Sequence, residues 1–174
     1  SNISKLLVGF GFLFMGLDYM KSAVEVFAED FDIATIPNYG LWLYIIIGIL
    51  LTAIMQSSSA TMAIILTALN AGIMNFNYSA AMVIGANVGT TVTILLGAIG
   101  GTQAKKRVAY SHFIYNSVTG LFAWILMPVF VFIILKLIDI EADAVIALVL
   151  FHTMFNLFGV VAFYPFTNIL ANFL

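Results

Sequence analysis

The chain alternates long apolar runs with short polar stretches, and two of the polar stretches interrupt apolar sequence. Residues 56–61 (QSSSAT) stand between the apolar runs 41–55 and 62–74. Residues 85–93 (GANVGTTVT) stand inside the apolar segment 79–100. Hydroxyl and amide groups are costly in an apolar environment unless each has a hydrogen-bonding partner. The two polar stretches therefore indicate a binding site for a small hydrophilic solute at membrane depth.

The length and continuity of the apolar runs predict helices as the membrane-crossing elements. A membrane barrel would instead show strands of about ten residues with alternating hydrophobicity. We predict an all-α integral membrane protein that forms one transmembrane repeat unit. The predicted elements are a transmembrane helix over 1–27, a re-entrant hairpin over 41–74, a broken transmembrane helix over 79–100, and transmembrane helices over 108–138, broken at Pro128, and over 142–174.

The hairpin prediction over 41–74 rests on length and on charge. Each apolar arm rises roughly 20 Å at about 1.5 Å per residue, short of the roughly 30 Å hydrocarbon core, so two complete spans do not fit. A single span would be too long and would bury residues 56–59 at its centre. With Lys5 in the cytoplasm, the first helix crosses outward, and a hairpin then returns the chain to the outer side. The crossing by 79–100 brings the basic residues 105–107 to the cytoplasm, as the positive-inside rule requires. A re-entrant hairpin with the serines at its tip satisfies both conditions.

The segment 79–100 allows two interpretations. Its glycines and hydroxyl residues are common in packed membrane helices, so a continuous glycine-rich helix is one of them. Asn87 and the Gly and Thr residues that follow it also favour free main-chain groups. We favour the second interpretation, a helix that breaks near residues 87–89 and exposes carbonyl oxygens.

The first helix contains small and charged residues with separate interpretations. Three glycines offer a surface on which another helix can pack closely. Asp18 and Lys21 are three residues apart and can pair; we interpret them as interfacial side chains, with an ion-pathway carboxylate as the alternative. The glycines are Gly9, Gly11 and Gly16, and the acidic loop that follows contains Glu25, Glu29, Asp30 and Asp32.

Two later segments share the motif H-x-x-aromatic-N. It begins at His112 and His152 and ends at Asn116 and Asn156. The i, i+4 spacing places each His over its Asn on one face of a helix. We interpret the motif as a hydrogen-bond network that joins packed helices, with a direct role in transport as the alternative.

Composition narrows the class of protein. The 174 residues are 63% hydrophobic and 8% charged, which is far outside the range of soluble domains. The net charge of −2 gives no reason to expect nucleic acid as a partner. The absence of cysteine excludes disulfides and thiolate metal sites. Because the chain begins with Ser and no cleavage site follows the apolar residues 6–17, we expect a processed form or a fragment with a retained first helix.

The tip of the predicted hairpin can bind an anion. A helix that begins at the serines presents unpaired N–H groups with partial positive charge, and the serine hydroxyls add donors. Gln56, Asn87, Thr90 and the carbonyls freed by the predicted break supply neutral oxygens of the kind that coordinate Na⁺, so bound cations can balance the charge of the anion. This arrangement would couple the two solutes electrostatically.

The two polar stretches, in this order and at this spacing, resemble the type II sodium/phosphate cotransporters. The resemblance rests on residues 56–61 (QSSSAT), 70–73 (NAGI) and 85–93 (GANVGTTVT), and it extends over nearly the whole chain. That family is built from two inverted repeats with one copy of the motifs in each, whereas this chain holds one copy. Residues 104–112 are similar to the second repeat, so the resemblance implies that an N-terminal repeat or a second copy of the chain completes the site.

The resemblance also implies solutes and residue roles. It implies inorganic phosphate as the substrate, sodium ions as the co-substrate and no other cofactor. Animal members of the family place the second hairpin on the cytoplasmic side, opposite to the charge count, so the orientation stays open. The implied phosphate ligands are Ser57, Ser58, Ser59 and Thr91, and the implied sodium ligands are Gln56, Asn87 and Thr90.

The leading hypothesis is secondary active transport of inorganic phosphate across the plasma membrane, coupled to sodium. A transporter of another anion, or a channel subunit, is an alternative. An intramembrane serine hydrolase is the enzymatic alternative, but the chain has no G-x-S-x-G motif and no clear acidic residue to orient either His. We therefore expect no enzymatic activity, and we expect phosphate, sodium and the lipid bilayer as partners.

Overall fold

The computed structural model describes residues 2–30 and 39–174, and both ranges are helical without a β-strand. The all-α prediction is confirmed. Part of the predicted acidic loop, and the side chain of Lys21, lie outside the described residues, so the pairing of Asp18 with Lys21 stays a prediction. The helices are α1 (Asn2–Asp30), α2 (Leu41–Met55), α3 (Ser58–Asn70), α4 (Phe76–Gly97), α5 (Gln103–Ile125), α6 (Met127–Leu135), α7 (Ala144–Phe163) and α8 (Thr167–Phe173), with a 3₁₀ turn at Tyr164–Phe166.

Several of these helices are long and apolar enough to cross a membrane. They are the stretch Asn2–Met20 of α1, all of α4, and the stretch Ala144–Phe173 that joins α7 to α8. The pair α5 and α6 meets the same criterion together, with a bend of 62° between the two helices. In contrast, α2 and α3 have 15 and 13 residues and are too short to cross alone. These lengths support an integral membrane protein of mixed long and short helices.

The break between α2 and α3 is two residues long and has a local chemical cause. Gln56 adopts the left-handed conformation (φ 52°), and its N–H donates to the carbonyl of Thr52, which ends α2. Ser57 is extended, and its Oγ accepts from the N–H of Ala60 at 3.3 Å, which begins α3. A serine in this position is a preferred helix N-cap. The polar stretch therefore interrupts the apolar segment where the sequence predicts.

The central helix α4 packs against α2, α3, α5 and α7, and its closest neighbour is α2. Glycines make this contact possible because a Cβ at Gly85 would collide with the carbonyl of Ile45, and one at Gly48 with the carbonyl of Met82. A Cβ at Gly89 would lie 2.7 Å from the carbonyl oxygen of Ile49. Two membrane helices can approach to this distance only through small residues.

The predicted break in α4 is wrong, because the helix is continuous from Phe76 to Gly97. Gly89, one of the residues on which the predicted break rested, serves the close contact with α2. The hydroxyl of Thr90 donates to the carbonyl of Asn87, and that of Thr91 to the carbonyl of Val88, so both are satisfied within the helix. The carbonyl oxygens near residues 87–89 therefore belong to the regular helix.

The predicted break at Pro128 is confirmed. α5 ends at Ile125 and α6 begins at Met127, so Pro128 lies in the first turn of α6, where its missing N–H costs no hydrogen bond. α7 packs beside these helices and also against α3 and α4. Its buried side includes Phe151 and Phe155, both fully buried, which fill the core beneath α3 and α4.

The first helix has a different environment. α1 packs against α3, and most of its described side chains are exposed. Its three glycines, predicted as a packing surface, have open space where a Cβ would lie: Gly9, Gly11 and Gly16. The glycine surface therefore makes no close helix contact within the described part of the chain.

Candidate binding site

A cavity of about 300 Å³ lies where α3 begins, against α4 and α7. Its polar lining consists of Ser58 and Ser59 from α3, Asn87 from α4, and His152 from α7. The rest of the lining is apolar: Met62, Ala63, Leu66, Val83 and Ala86. Residues from both polar stretches of the sequence thus meet at one cavity, although 28 positions separate Ser59 from Asn87.

The beginning of α3 supplies donors to this cavity. Ser57 caps the helix, and its carbonyl accepts from the N–H of Thr61 at 3.0 Å. Ala60 donates to the Ser57 hydroxyl, which leaves the N–H groups of Ser58 and Ser59 without an acceptor in the described part of the chain. Unpaired N–H groups at a helix N-terminus attract anions because the helix dipole adds partial positive charge there.

A hydrogen bond between α2 and α3, and a second within the first turn of α3, hold the beginning of α3 in place. Thr52 of α2 donates to the hydroxyl of Thr61 at 3.0 Å, and Thr61 donates to the carbonyl of Ser57 at 3.1 Å. Thr52 and Thr61 are fully buried, so each hydroxyl needs its partner. This chain of hydrogen bonds fixes the orientation of the Ser57 peptide and therefore of the serines that follow.

Asn87 places an amide group without a protein partner beside the cavity. Its Nδ2 is buried and has no hydrogen-bonding partner among the described residues. Unpaired buried amides are rare in folded proteins, and one that lines a cavity is a candidate for ligand binding. Asn87 therefore lines the cavity and carries a buried amide nitrogen that no described residue satisfies.

His152 lines the cavity from α7. A direct role of its motif in transport was only the alternative interpretation of the sequence. The Asn residues of both H-x-x-aromatic-N motifs donate to the main-chain carbonyl of their own His: Asn116 to His112 at 2.9 Å and Asn156 to His152 at 2.8 Å. These bonds lie within one helix, so they do not form the predicted network between helices. The sequence around His152 gave no signal of the cavity, since the packing of α7 against α3 is what brings the imidazole there.

The structure brings together three of the seven residues to which the resemblance assigns a role. Ser58, Ser59 and Asn87 line the cavity. The other four do not line it. Ser57 caps α3, and Gln56 is exposed at the break between α2 and α3. The hydroxyls of Thr91, which is buried, and Thr90 donate to the main-chain carbonyls of Val88 and Asn87. No group of three or more His, Asp or Glu side chains suited to a metal ion occurs in the described ranges.

A protein-family model described as Na⁺/Pi-cotransporter matches residues 40–162. The chain belongs to the Na⁺/Pi-cotransporter family. The matched range contains α2 to α6 and nearly all of α7, and so includes every residue that lines the cavity. The family is a family of transporters, in agreement with the expectation that the chain is not an enzyme.

Individual relatives of this Na⁺/Pi-cotransporter family member have different names. The protein YqeW of Bacillus subtilis is 27% identical over 165 residues, which are 93% of this chain and 53% of YqeW. YjbB of Salmonella typhimurium, provisionally named an inorganic phosphate export protein, is 25% identical over 98% of this chain and 32% of its own length. The rat sodium-dependent phosphate transport protein 2C is 35% identical over 51% of this chain and 15% of its own length.

This family member is shorter than the relatives that it matches. The chain spans about half the length of the Bacillus subtilis relative and about a third of the Salmonella typhimurium relative. No solved structure matches it.

Proposed function

We propose that this chain forms one half of a sodium-coupled transporter of inorganic phosphate in the plasma membrane, and that phosphate binds in the cavity at the beginning of α3. The observation that carries the proposal is the meeting of Ser58, Ser59 and Asn87 at that cavity. Family membership supports phosphate as the substrate, and the name of the rat relative supports sodium as the coupling ion.

The cavity offers a phosphate ion neutral donors from two helices. Ser58 and Ser59 each supply a hydroxyl and a main-chain N–H, and Asn87 supplies an amide. Among the described residues, no Lys or Arg lines the cavity. Binding an anion by neutral donors alone suits transport, because the ion can be released when the cavity opens to water.

The charge of the phosphate requires compensation at membrane depth, and we assign this to sodium. Because α4 is continuous, the carbonyl oxygens near residues 87–89 are engaged in the helix and are unsuitable ligands. Sodium is therefore expected to use the side-chain oxygens of Gln56, Asn87 and Thr90, of which Asn87 already lines the phosphate cavity. A cation next to the anion lowers the cost of burying both.

The cavity has donors from α3 and α4 and an imidazole from α7, and we propose that the remaining donors come from a second repeat. Such a repeat would lie in the same polypeptide or in a second copy of this chain, related by inverted symmetry, with the site near the midplane. In this arrangement α2 and α3 form a re-entrant hairpin, because both are too short to cross and irregular backbone is tolerated at membrane depth where it lines a cavity.

The proposal is tested by phosphate uptake into proteoliposomes that contain the full-length protein. We expect uptake of labelled phosphate in a sodium gradient and little uptake when choline replaces sodium. Ser58→Ala and Ser59→Ala should each raise the phosphate KM roughly tenfold, since a hydrogen bond to a charged group contributes about 1.5–3 kcal/mol. Ser111→Ala is the matched control because its hydroxyl bonds to the Val108 carbonyl on α5, away from the cavity.

The direction of transport needs a separate measurement because one relative is named for export. Proteoliposomes loaded with labelled phosphate report efflux when sodium is placed inside, outside or on neither side. Sodium-independent transport in both directions would contradict the coupling. Transport that Ser58→Ala and Ser59→Ala leave unchanged would contradict the site.

A further inference from the structure

His152 is the only ionisable side chain among the described residues that line the cavity. It lies on the side of α7 that faces the core, between the buried residues Phe151 and Phe155 in the helical repeat. Its position opposite the serines of α3 places an imidazole at a site whose other polar groups are two hydroxyls and an amide.

The imidazole of His152 is held by packing and keeps its nitrogens available. Its ring meets the ring of Phe155 edge to face, with 5.4 Å between centroids. Asn156 donates to the main-chain carbonyl of His152 and does not engage the ring. Neither ring nitrogen has a hydrogen-bonding partner within the ranges that the structure describes. A fixed ring with free nitrogens on a cavity can recognise a ligand.

His112 is the internal comparison, since it begins the same H-x-x-aromatic-N motif on α5. Its carbonyl also accepts from the Asn four residues later. However, His112 does not line the cavity, and its Nδ1 is buried without a partner in the described part of the protein. The motif is thus duplicated, but the fold brings one copy to the cavity.

We propose that His152 determines the specificity of the site by accepting a hydrogen bond from the P–OH group of hydrogen phosphate, a group that sulfate lacks. This inference rests on the proposed function. Among the described residues no carboxylate lines the cavity to stabilise an imidazolium. The proposal therefore takes the ring as neutral, with one donor and one acceptor nitrogen and with the acceptor nitrogen towards the ligand. Ser58, Ser59 and Asn87 can donate hydrogen bonds to the oxygens of any tetrahedral oxyanion, so they do not discriminate among such anions. An acceptor nitrogen, in contrast, distinguishes a protonated oxyanion from a fully deprotonated one.

The discrimination has a clear physical basis. When sulfate occupies the cavity, the acceptor nitrogen faces a negatively charged oxygen without a proton between them. The nitrogen then loses its only partner and repels the ligand. Sites that hydrogen-bond a specific hydroxyl reject analogues without it far more strongly than apolar pockets do. Arsenate, which is protonated like phosphate, should therefore bind in the cavity, and sulfate should bind much more weakly.

The first experiment measures selectivity in proteoliposomes of the full-length protein. Sulfate and arsenate are tested as competitors of sodium-driven phosphate uptake in the wild type, His152→Leu, His152→Gln and His112→Leu. We expect arsenate but not sulfate to compete in the wild type. His152→Leu should reduce the preference for phosphate over sulfate roughly tenfold or more. His152→Gln keeps an acceptor oxygen and should stay within a few-fold of the wild type, and His112→Leu should keep the wild-type preference.

The results separate this inference from the proposed function. A wild type without phosphate uptake contradicts the proposed function and the inference with it. An active His152→Leu with unchanged preference overturns the inference alone. A fall in phosphate affinity with no change in preference also overturns it, because His152 would then act only as a charge or a packing residue.

A second experiment leaves His152 in place and is independent of how its variants fold. Diethyl pyrocarbonate modifies accessible imidazole nitrogens, and peptide mass spectrometry reports modification at His152 and His112 separately. In the full-length protein with sodium, phosphate and arsenate should slow the modification of His152 at least about fivefold, and sulfate should not. The modification of His112 should be unchanged by all three anions. Equal protection of His152 by sulfate and phosphate, or protection by neither, would contradict the proposal.

Discussion

Thr52 donates a hydrogen bond to Thr61 across the break between α2 and α3, with 3.0 Å between two fully buried hydroxyl oxygens. The bond joins the end of one short apolar helix to the beginning of the next. Thr61 in turn donates to the carbonyl of Ser57, whose side chain caps α3. The position of the cavity serines therefore depends on two threonines that do not line the cavity.

The order of these bonds predicts unequal effects of two similar substitutions. Thr61→Val removes the partner of the buried Thr52 hydroxyl and should lower the free energy of unfolding by about 1–3 kcal/mol. Thr52→Val leaves Thr61 bonded to the Ser57 carbonyl and should cost less. Thermal unfolding of the purified protein in detergent checks the order. A Thr52→Val that is as damaging as Thr61→Val would contradict this interpretation of the break.

The contact between α2 and α4 predicts a second pair of outcomes. Gly85→Ala would drive a methyl group into the carbonyl of Ile45, so it should separate the helices and prevent stable folding. Gly97→Ala is the control, because open space surrounds Gly97 in the last turn of the same helix. It should be neutral or stabilising by up to about 1 kcal/mol. Expression level and elution in size-exclusion chromatography measure both; a well-folded Gly85→Ala protein would contradict the close approach.

The sequence predicts much of this fold because apolar run length and caps are local properties. The break at residues 56–57 follows from a serine cap, and the break near Pro128 from a missing N–H. The continuity of α4 was not predicted because a glycine such as Gly85 or Gly89 can either allow a helix to bend or allow a neighbouring helix to pack closely. Only the position of α2 decides between these uses.

The sequence also predicts part of the candidate site. Ser58, Ser59 and Asn87 stand out because polar residues are rare in apolar segments. His152 shares its motif with His112, and no local feature tells the two apart. Its place at the cavity depends on how α7 packs against α3 and α4, which is a non-local property of the fold.

The topology of α2 and α3 can be tested with single cysteines, because the chain has no native cysteine. Tyr39 is exposed before α2, Ala71 is exposed after α3, and Gln103 is exposed at the beginning of α5. A re-entrant hairpin predicts that Tyr39→Cys and Ala71→Cys react with an impermeant thiol reagent from the same side, and Gln103→Cys from the other. Labelling of Tyr39→Cys and Ala71→Cys from opposite sides would show a single crossing by α2 and α3.

The sodium assignment predicts a change in ion dependence without a loss of folding. Asn87→Ala removes an amide that has no partner among the described residues, so the protein should fold normally while the sodium concentration for half-maximal uptake rises several-fold. Thr90→Ala should act in the same direction. Asn116→Ala is the control, since its amide bonds to the His112 carbonyl on α5. If Asn87→Ala lowers expression but leaves sodium activation unchanged, Asn87 has a packing role.

The most direct test of the central claim is protection of a cysteine at the beginning of α3. Ser58→Cys places the only thiol of the chain at the cavity. An impermeant thiol reagent should label it from one side of the membrane, and phosphate with sodium should slow the labelling at least about tenfold, whereas phosphate in choline or sodium alone should slow it less. A labelling rate that phosphate and sodium leave unchanged would contradict a phosphate site at Ser58 and Ser59.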